Sequence, residues 1–480
     1  MAQEKVSSAL TSPLLGASLA LNLSLLLFWA SRVYFDVSTS ESVLSTSNGG
    51  SSWTRAAAAE AEVAGSFNCS GRGVIYAEMI FHGLEAACEC EQCFTGSHCE
   101  HVVPDCDVLV HSGDPLMYLP YWRQNHETSS ILIPGWYRIG YELSQPLIPV
   151  LEKEIRDLHK LVGNAVTDGC YILVGSGEMQ LMMAAYSTIS MEADGLPVHT
   201  VIDPPYYDAY ERQVKTIKPG TVRWGAPGLD SESSGNWIPL EIVISPNNPD
   251  GSLRTPTWKH RNENARTVHD NAYYWPHYTP ITGPRDDDFM LFSLSKVTGH
   301  AGSRLGWAII KDRAVYEKML MSVRLNSVTV SHEAQFRAAH ILRSIREGYS
   351  KVKSVGLNSS PTEYAAQQLL FHYGHAKMKT RWEQMLKLFQ ASDRFLIEQN
   401  LEQSYCNFFK DIVHPLPAFV WIRCQREEDQ SCFEIFRDAG IHGRGGANCG
   451  MTNRYVRLAM MDGDHTFKHL LNRLQALVST

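Results

Sequence analysis

Within the stretch FSLSKVTGHAGSRLGW, residues 292–307, four side chains are spaced for covalent chemistry: Ser293, Ser295, Lys296 and Arg304. A lysine between small hydroxyl residues, at the end of an apolar run and eight positions before an arginine, has what a pyridoxal-phosphate enzyme needs. Its amine can form a Schiff base with the cofactor aldehyde, while hydroxyls and a guanidinium receive the phosphate dianion. The pattern SxSK is common, and a solvated Lys-Arg surface stretch is the competing reading.

Other segments supply parts that the same chemistry requires. LVGNAVTDGCYILVGSGEMQLMMAAYSTIS reads as strand, glycine turn and helix, which places the amides of Ser176, Gly177 and Glu178 at a helix N-terminus. Such a turn receives a phosphate, although it is also an ordinary tight turn. VIDPPYYDAY projects Tyr206 and Tyr207 beyond the carboxyl end of a strand, where ligands of open α/β sheets bind and a ring can stack on a pyridine. A packed aromatic corner is the alternative. EIVISPNNPDG carries a buried strand into an Asn-Pro turn that presents the Asn248 side chain.

In TVHDNAYYWPHY, Asp270 follows apolar residues at a strand end, with Tyr273 three positions on. A buried carboxylate needs a cation, and a protonated pyridine nitrogen is one; a helix cap or a structural ion pair would also use it. NRYVRLAMM sets Arg457 in an apolar strand, where an unpaired guanidinium is costly, so it should face a carboxylate such as that of an amino acid.

Positioning these groups takes a large α/β body. The chain has 480 residues, enough for a two-lobed catalytic domain and an accessory module. A formal net charge of −8 without a long basic run argues against nucleic acid as the main partner. Leu14 to Ala30 is apolar and uncharged between Lys5 and Arg32, which predicts a signal anchor or signal peptide over residues 1–35 and entry into the secretory pathway. A possible single-pass membrane anchor follows from the anchor reading. Residues 36–66, rich in Ser, Ala and Gly, read as a flexible linker.

Six of the eleven cysteines fall next, at Cys69, Cys88, Cys90, Cys93, Cys99 and Cys106. In a secretory chain this density predicts a disulfide-stapled module over residues 67–107, because so few residues bury too little apolar surface to fold unaided. Zinc at Cys90-x-x-Cys93 is the lesser reading, and no metal is assigned. Asn68-Cys69-Ser70 and Asn358-Ser359-Ser360 are glycosylation sequons.

The tail CECEQCFTGSHCE resembles an EGF-like module, and that resemblance implies the bridges Cys69–Cys88, Cys90–Cys99 and Cys93–Cys106. The order of glycine turn, aromatic, Asn-Pro, Asp-x-Ala-Tyr, Ser-x-Ser-Lys and distant Arg follows that of fold-type I aminotransferases. The long strings SPNNPDG, AYYWPHYTPIT and SKVTGHAGSRLGWAIIKD resemble the plant alliinase family, which includes alliin lyases and tryptophan aminotransferases of auxin synthesis. That resemblance covers residues 67–480. It implies an α/β fold of aminotransferase fold type I over 108–480, with a large lobe over about 150–345 and a small lobe from 108–149 and 346–480.

Carried over, Lys296 is the Schiff-base lysine, Asp270 the partner of the pyridine nitrogen and Tyr207 the stacking ring. Asn248 and Tyr273 bind the phenolic oxygen, Arg304 with Ser293 or Ser295 holds the phosphate, and Arg457 binds the substrate carboxylate. Gly113 and Tyr141 lie at the substrate pocket, the latter reaching a neighbouring subunit's cofactor in the homodimer that the fold implies. One departure stands out. Where the family has a threonine before Gln180, this chain has Met179, preceded by Glu178, which removes a hydroxyl and brings a carboxylate towards the phosphate.

Both family reactions begin by removing the substrate Cα proton, and side-chain loops decide between them. Ser112-Gly113-Asp114-Pro115, Ile133-Pro134-Gly135-Trp136, Pro249-Asp250-Gly251 and Pro417-Ala418-Phe419 look like the aminotransferase branch. The expectation is an aminotransferase for an L-amino acid, favouring L-tryptophan, with a keto acid such as pyruvate as acceptor. The EGF-like module and the pair Cys424 and Cys432, a candidate further bridge, resemble alliin lyases, so a C–S lyase of S-alkyl-cysteine sulfoxides is the alternative. A non-catalytic EGF-bearing interaction protein is the second alternative.

Overall fold

A computed structural model describes Ala59 and residues 69–75, 88–140, 146–217, 221–225, 237–258, 262–354, 367–390 and 392–479. The chain divides into two compact units, Met1–Val63, of which only Ala59 is described, and Ala64–Thr480. The apolar segment 14–30, both sequon asparagines, Tyr141 and the linker apart from Ala59 lie outside the described residues. Among the described residues no helix is long and apolar enough to cross a membrane.

Seven strands form the main sheet: β1 (Tyr171–Gly175), β2 (Val198–Val201), β3 (Val222–Trp224), β4 (Ile238–Ile244), β5 (Arg266–Asp270), β6 (Phe289–Ser293) and β7 (Gly306–Ile310). Their order is β1-β7-β6-β5-β4-β2-β3. Only β7 runs antiparallel to its neighbours. The strand sequences explain this placement. Residues 289–293, FMLFS, are buried throughout, as are the last six residues of β4, which is the continuous apolar pattern of strands covered on both faces.

Helices α1 (Pro149–Val162), α2 (Glu178–Glu192), α3 (Ala209–Thr216), α4 (Leu294–Thr298) and α5 (Arg313–Ser327) follow the strands or flank them. In α1 the buried Leu151, Ile155, Leu158 and Val162 recur every three or four residues, a single apolar stripe. Pro149 opens that helix and Gly163, in the left-handed region, closes it.

A smaller antiparallel sheet contains β8 (Phe395–Ile397), β9 (Phe419–Cys424), β10 (Arg444–Gly445) and β11 (Tyr455–Ala459), in the order β8-β9-β11-β10. The segment Val108–Leu109 pairs with Ile441–His442, so the chain entering the catalytic body is stitched to the small sheet's side. The expected lobe boundary at 345/346 falls inside one continuous helix, His332–Ser354, which packs on α1. The helix buries Ala338, Ile341, Leu342 and Ile345 on one apolar face.

Four disulfides are present: Cys69–Cys88, Cys90–Cys99, Cys93–Cys106 and Cys424–Cys432. Cys90 and Cys93 bond to different partners, so their thiolates are not available as a zinc pair. Gln92 joins the cysteine-rich module to the catalytic body, accepting from the Leu109 amide at 2.7 Å and donating to Asp462 at 3.2 Å. Cys170, Cys406 and Cys449 are buried free thiols.

Candidate active site

The carboxyl ends of β1, β4, β5 and β6 converge on one cavity of about 380 Å³, within the size range of small-molecule sites. Gly113, Gly177, Glu178, Tyr207, Asn248, Asp270, Tyr273, Ser293, Ser295, Lys296, Arg304 and Arg457, all named from the sequence, line it. Ser176 does not. It is exposed beside the cavity, and its amide is taken by Gln180 Oε1 at 2.6 Å, because the side chain four residues along α2 folds back onto the turn.

Lys296 lies on α4, directly after β6, and its side chain is 18% exposed. Its Nζ donates to the Gly113 carbonyl and lies 3.6 Å from Asp114 Oδ1. Burial pulls its pKa below the usual lysine value, against the opposing pull of Asp114. The neutral amine, the nucleophilic and basic form, is therefore more accessible than on an ordinary surface lysine. Gly113 is required by space: a Cβ there would stand 2.9 Å from Phe419 Cζ and 3.1 Å from Lys296 Nζ.

Asp270 ends β5 with 4% exposure. It accepts from the Ala272 amide at 2.9 Å and from Tyr210 Oη at 2.7 Å. Among the described residues no cation lies within ion-pair distance of it, and burial raises its pKa. A buried carboxylate in that condition suits a protonated ring nitrogen.

Across the cavity Arg457 is only 2% exposed on β11. Nη1 donates to Asn248 Oδ1 at 2.8 Å and Nη2 to the His111 carbonyl at 2.7 Å. Its guanidinium carbon lies 4.0 Å from the centroid of the Phe419 ring, and its buried Nε has no hydrogen-bond partner among the described residues. A cation held by neutral acceptors, with a donor to spare, can receive a carboxylate. Burial lowers its pKa, which an incoming anion would offset.

The phosphate end is more open. Arg304 is exposed, in the left-handed region with φ 47°, and donates to the Ala301 carbonyl at 3.0 Å. Gly177 has φ +77°, and a Cβ would come 2.5 Å from Arg304 Nη2, so glycine alone lets the guanidinium approach the turn. Ser293 and Ser295 are buried beside it. Together the α2 N-terminus, two hydroxyls and a guanidinium fit a phosphate, and Asp270 with Lys296 fits the pyridine and carbonyl of pyridoxal phosphate.

The two candidate stacking tyrosines part company. Tyr206 is buried, bonds Glu211 at 2.9 Å and meets Trp224 edge-on, forming the aromatic corner; Tyr207 lines the cavity. Tyr210 and Arg444 escaped the sequence reading. Tyr210 lies in the first turn of α3, three residues after Tyr207, and the two rings meet edge-on at 5.6 Å; their closeness in sequence was the available signal. Arg444 lines the cavity while bonding Asp208 at 2.6 Å, and nothing in its glycine-rich surroundings distinguishes it.

The allinase family model matches residues 108–478, and the alliinase EGF-like domain model matches residues 52–106. Tryptophan aminotransferase-related protein 4 of Arabidopsis thaliana is 39% identical over 436 residues, spanning 89% of this chain and 90% of that protein. An alliin lyase of Allium cepa var. aggregatum is 34% identical, spanning 89% and 94%. Among solved structures, aspartate aminotransferase from Thermotoga maritima matches with TM-score 0.53 at 13% identity, covering 84% of this chain and 94% of that one. That likeness establishes the fold-type I aminotransferase fold. The cofactor of these proteins is pyridoxal phosphate.

Proposed function

Because the chain belongs to the alliinase family, we propose that it is a pyridoxal-phosphate-dependent aminotransferase, converting an L-amino acid, favoured L-tryptophan, to its 2-oxo acid with a keto acid such as pyruvate as acceptor. The observation that carries the catalytic reading is the single cavity joining Lys296 Nζ, the buried Asp270 and the partly unsatisfied Arg457.

When bound, the cofactor supplies a carbonyl for amines and a conjugated ring that accepts the electron pair left at the substrate Cα. Arg457 binds the substrate carboxylate, with Asn248 and the His111 carbonyl fixing its orientation. Lys296 Nζ, lowered in basicity by burial, takes the Cα proton as general base. Asp114 stands where it can steady that amine once charged. Asp270 would hold the ring nitrogen in its protonated form, with Tyr207 beside the ring. Ser293, Ser295, Arg304 and the amides after Gly177 would hold the phosphate, while Tyr273 and Asn248 would hold the phenolic oxygen.

Four disulfides and an EGF-like module support a secretory-pathway setting, with a lumenal catalytic domain in the endoplasmic reticulum or another endomembrane, or a vacuolar or secreted protein if residues 1–35 are removed. A homodimer, with Tyr141 reaching the second site, accords with the fold.

Transamination and C–S elimination differ in what the pocket does after proton removal. Incubation with L-tryptophan plus pyruvate, and separately with an S-alkyl-cysteine sulfoxide, separates them. Indole-3-pyruvate in the first arm is expected. Pyruvate release in the second arm alone would make the protein a lyase, and neither product would return it to the non-catalytic class.

A further inference from the structure

Glu178, first residue of α2, points its carboxyl at the base of the cavity, where Tyr210 Oη hydrogen-bonds both Glu178 Oε1 and Asp270 Oδ2. A tyrosine hydroxyl carries one proton and can donate to only one of two carboxylates. The remaining contact requires a proton from a carboxyl group, so the trio holds one negative charge rather than two.

The surroundings decide where that proton rests. Asp270 also accepts the Ala272 amide at 2.9 Å, a bond that favours its ionised form. No backbone amide donates to the Glu178 side chain among the described residues. The charged and titratable groups facing Glu178 are Asp270 from β5, Tyr210 from α3, Tyr207 just before α3 and Lys296 from α4, with Arg304 at the phosphate turn. Burial, and after it the charge of Asp270, pushes the Glu178 carboxyl well above the ordinary range. An ionised Glu178 would also stand at the helix N-terminus that is to receive a phosphate dianion.

Resting on the cofactor reading above, we propose that Glu178 is a positioning residue that works as a neutral acid, donating to Tyr210 Oη so that Tyr210 in turn donates to an ionised Asp270. Proton order is then fixed from Glu178 through Tyr210 to Asp270. Asp270 keeps the charge that the ring nitrogen needs, and the phosphate meets no second anion.

The test is infrared spectroscopy of the cofactor-loaded full chain at neutral pH, compared with Glu178→Gln and Tyr210→Phe. The expected result is a protonated-carboxyl band in the wild type that is lost in Glu178→Gln and displaced in Tyr210→Phe, where the acid loses the tyrosine oxygen and keeps only Asp270 as acceptor. A band that survives Glu178→Gln, or no such band in the loaded wild type, overturns the proposal. A band unmoved by Tyr210→Phe overturns it too, and this second variant decides the matter should Glu178→Gln fail to fold. The cofactor's own visible absorbance is read in the same samples. If the wild type never acquires it at any pH, the cofactor reading itself has failed, whereas cofactor capture with an ionised Glu178 sinks only the present inference.

Discussion

At the inner end of the cavity, Asp270, Tyr273 and Arg457 are buried, and Asp270 and Arg457 are held by two hydrogen bonds each. At the outer end, Ser176 and Arg304 are exposed, and Met179 is only half-buried. The difference is one of tolerance. Removing one member of a buried polar network leaves its partners unsatisfied, which is costly, whereas a surface turn re-solvates what it loses.

Substitutions can break that contrast. The largest effect is expected from Lys296→Ala, which should abolish the cofactor's visible band and lower turnover by at least about 10²- to 10⁴-fold, the usual worth of a positioned acid–base group. Retention of both would remove Lys296 from the centre of the site. Next comes Arg457→Gln, which leaves the substrate carboxylate without its cation and should cost about 2–5 kcal/mol in kcat/KM for the amino acid. An unchanged kcat/KM would place carboxylate binding elsewhere, with Arg444 the next candidate.

Gly113→Ala should be milder. Its Cβ would press on Phe419 Cζ at 2.9 Å and Lys296 Nζ at 3.1 Å, an overpacking worth about 1–3 kcal/mol. Steady-state kinetics should show a lower kcat, and a fully active variant would mean that the entrance loop yields freely. The smallest effect is expected at the outer end. Met179→Thr restores a hydroxyl to the turn and should tighten the cofactor Kd by about 1 kcal/mol, roughly five-fold. Weaker binding in a cofactor titration would show that Met179 matters more for its packing against the apolar core than for the contact it lacks.

Much of this site can be read from the chain because its parts sit at the ends of strongly patterned strands. VIS before the Asn-Pro turn, TVH before Asp270 and FMLF before Ser293 each announce a buried strand whose carboxyl end must face the ligand. Ser176 shows the limit of that logic. A helix N-terminus offers several amides, and local sequence does not say that Gln180 will fold back and occupy one of them. The division between Tyr206 and Tyr207 was equally hidden, since adjacent residues beyond a strand can turn either way until Trp224 and Glu211 claim one of them.

What the sequence by itself determined is the inventory: a lysine that can carry the cofactor, a carboxylate and an arginine that cannot be buried without partners, and cysteines dense enough to staple a small module. These follow from residue type and local period, which act over a few positions. Only the tertiary structure decided which groups share a charge. Glu178, Tyr210 and Asp270 come from three elements separated by dozens of residues, and their common proton exists because the fold brings α2, α3 and β5 together around one low-dielectric cavity.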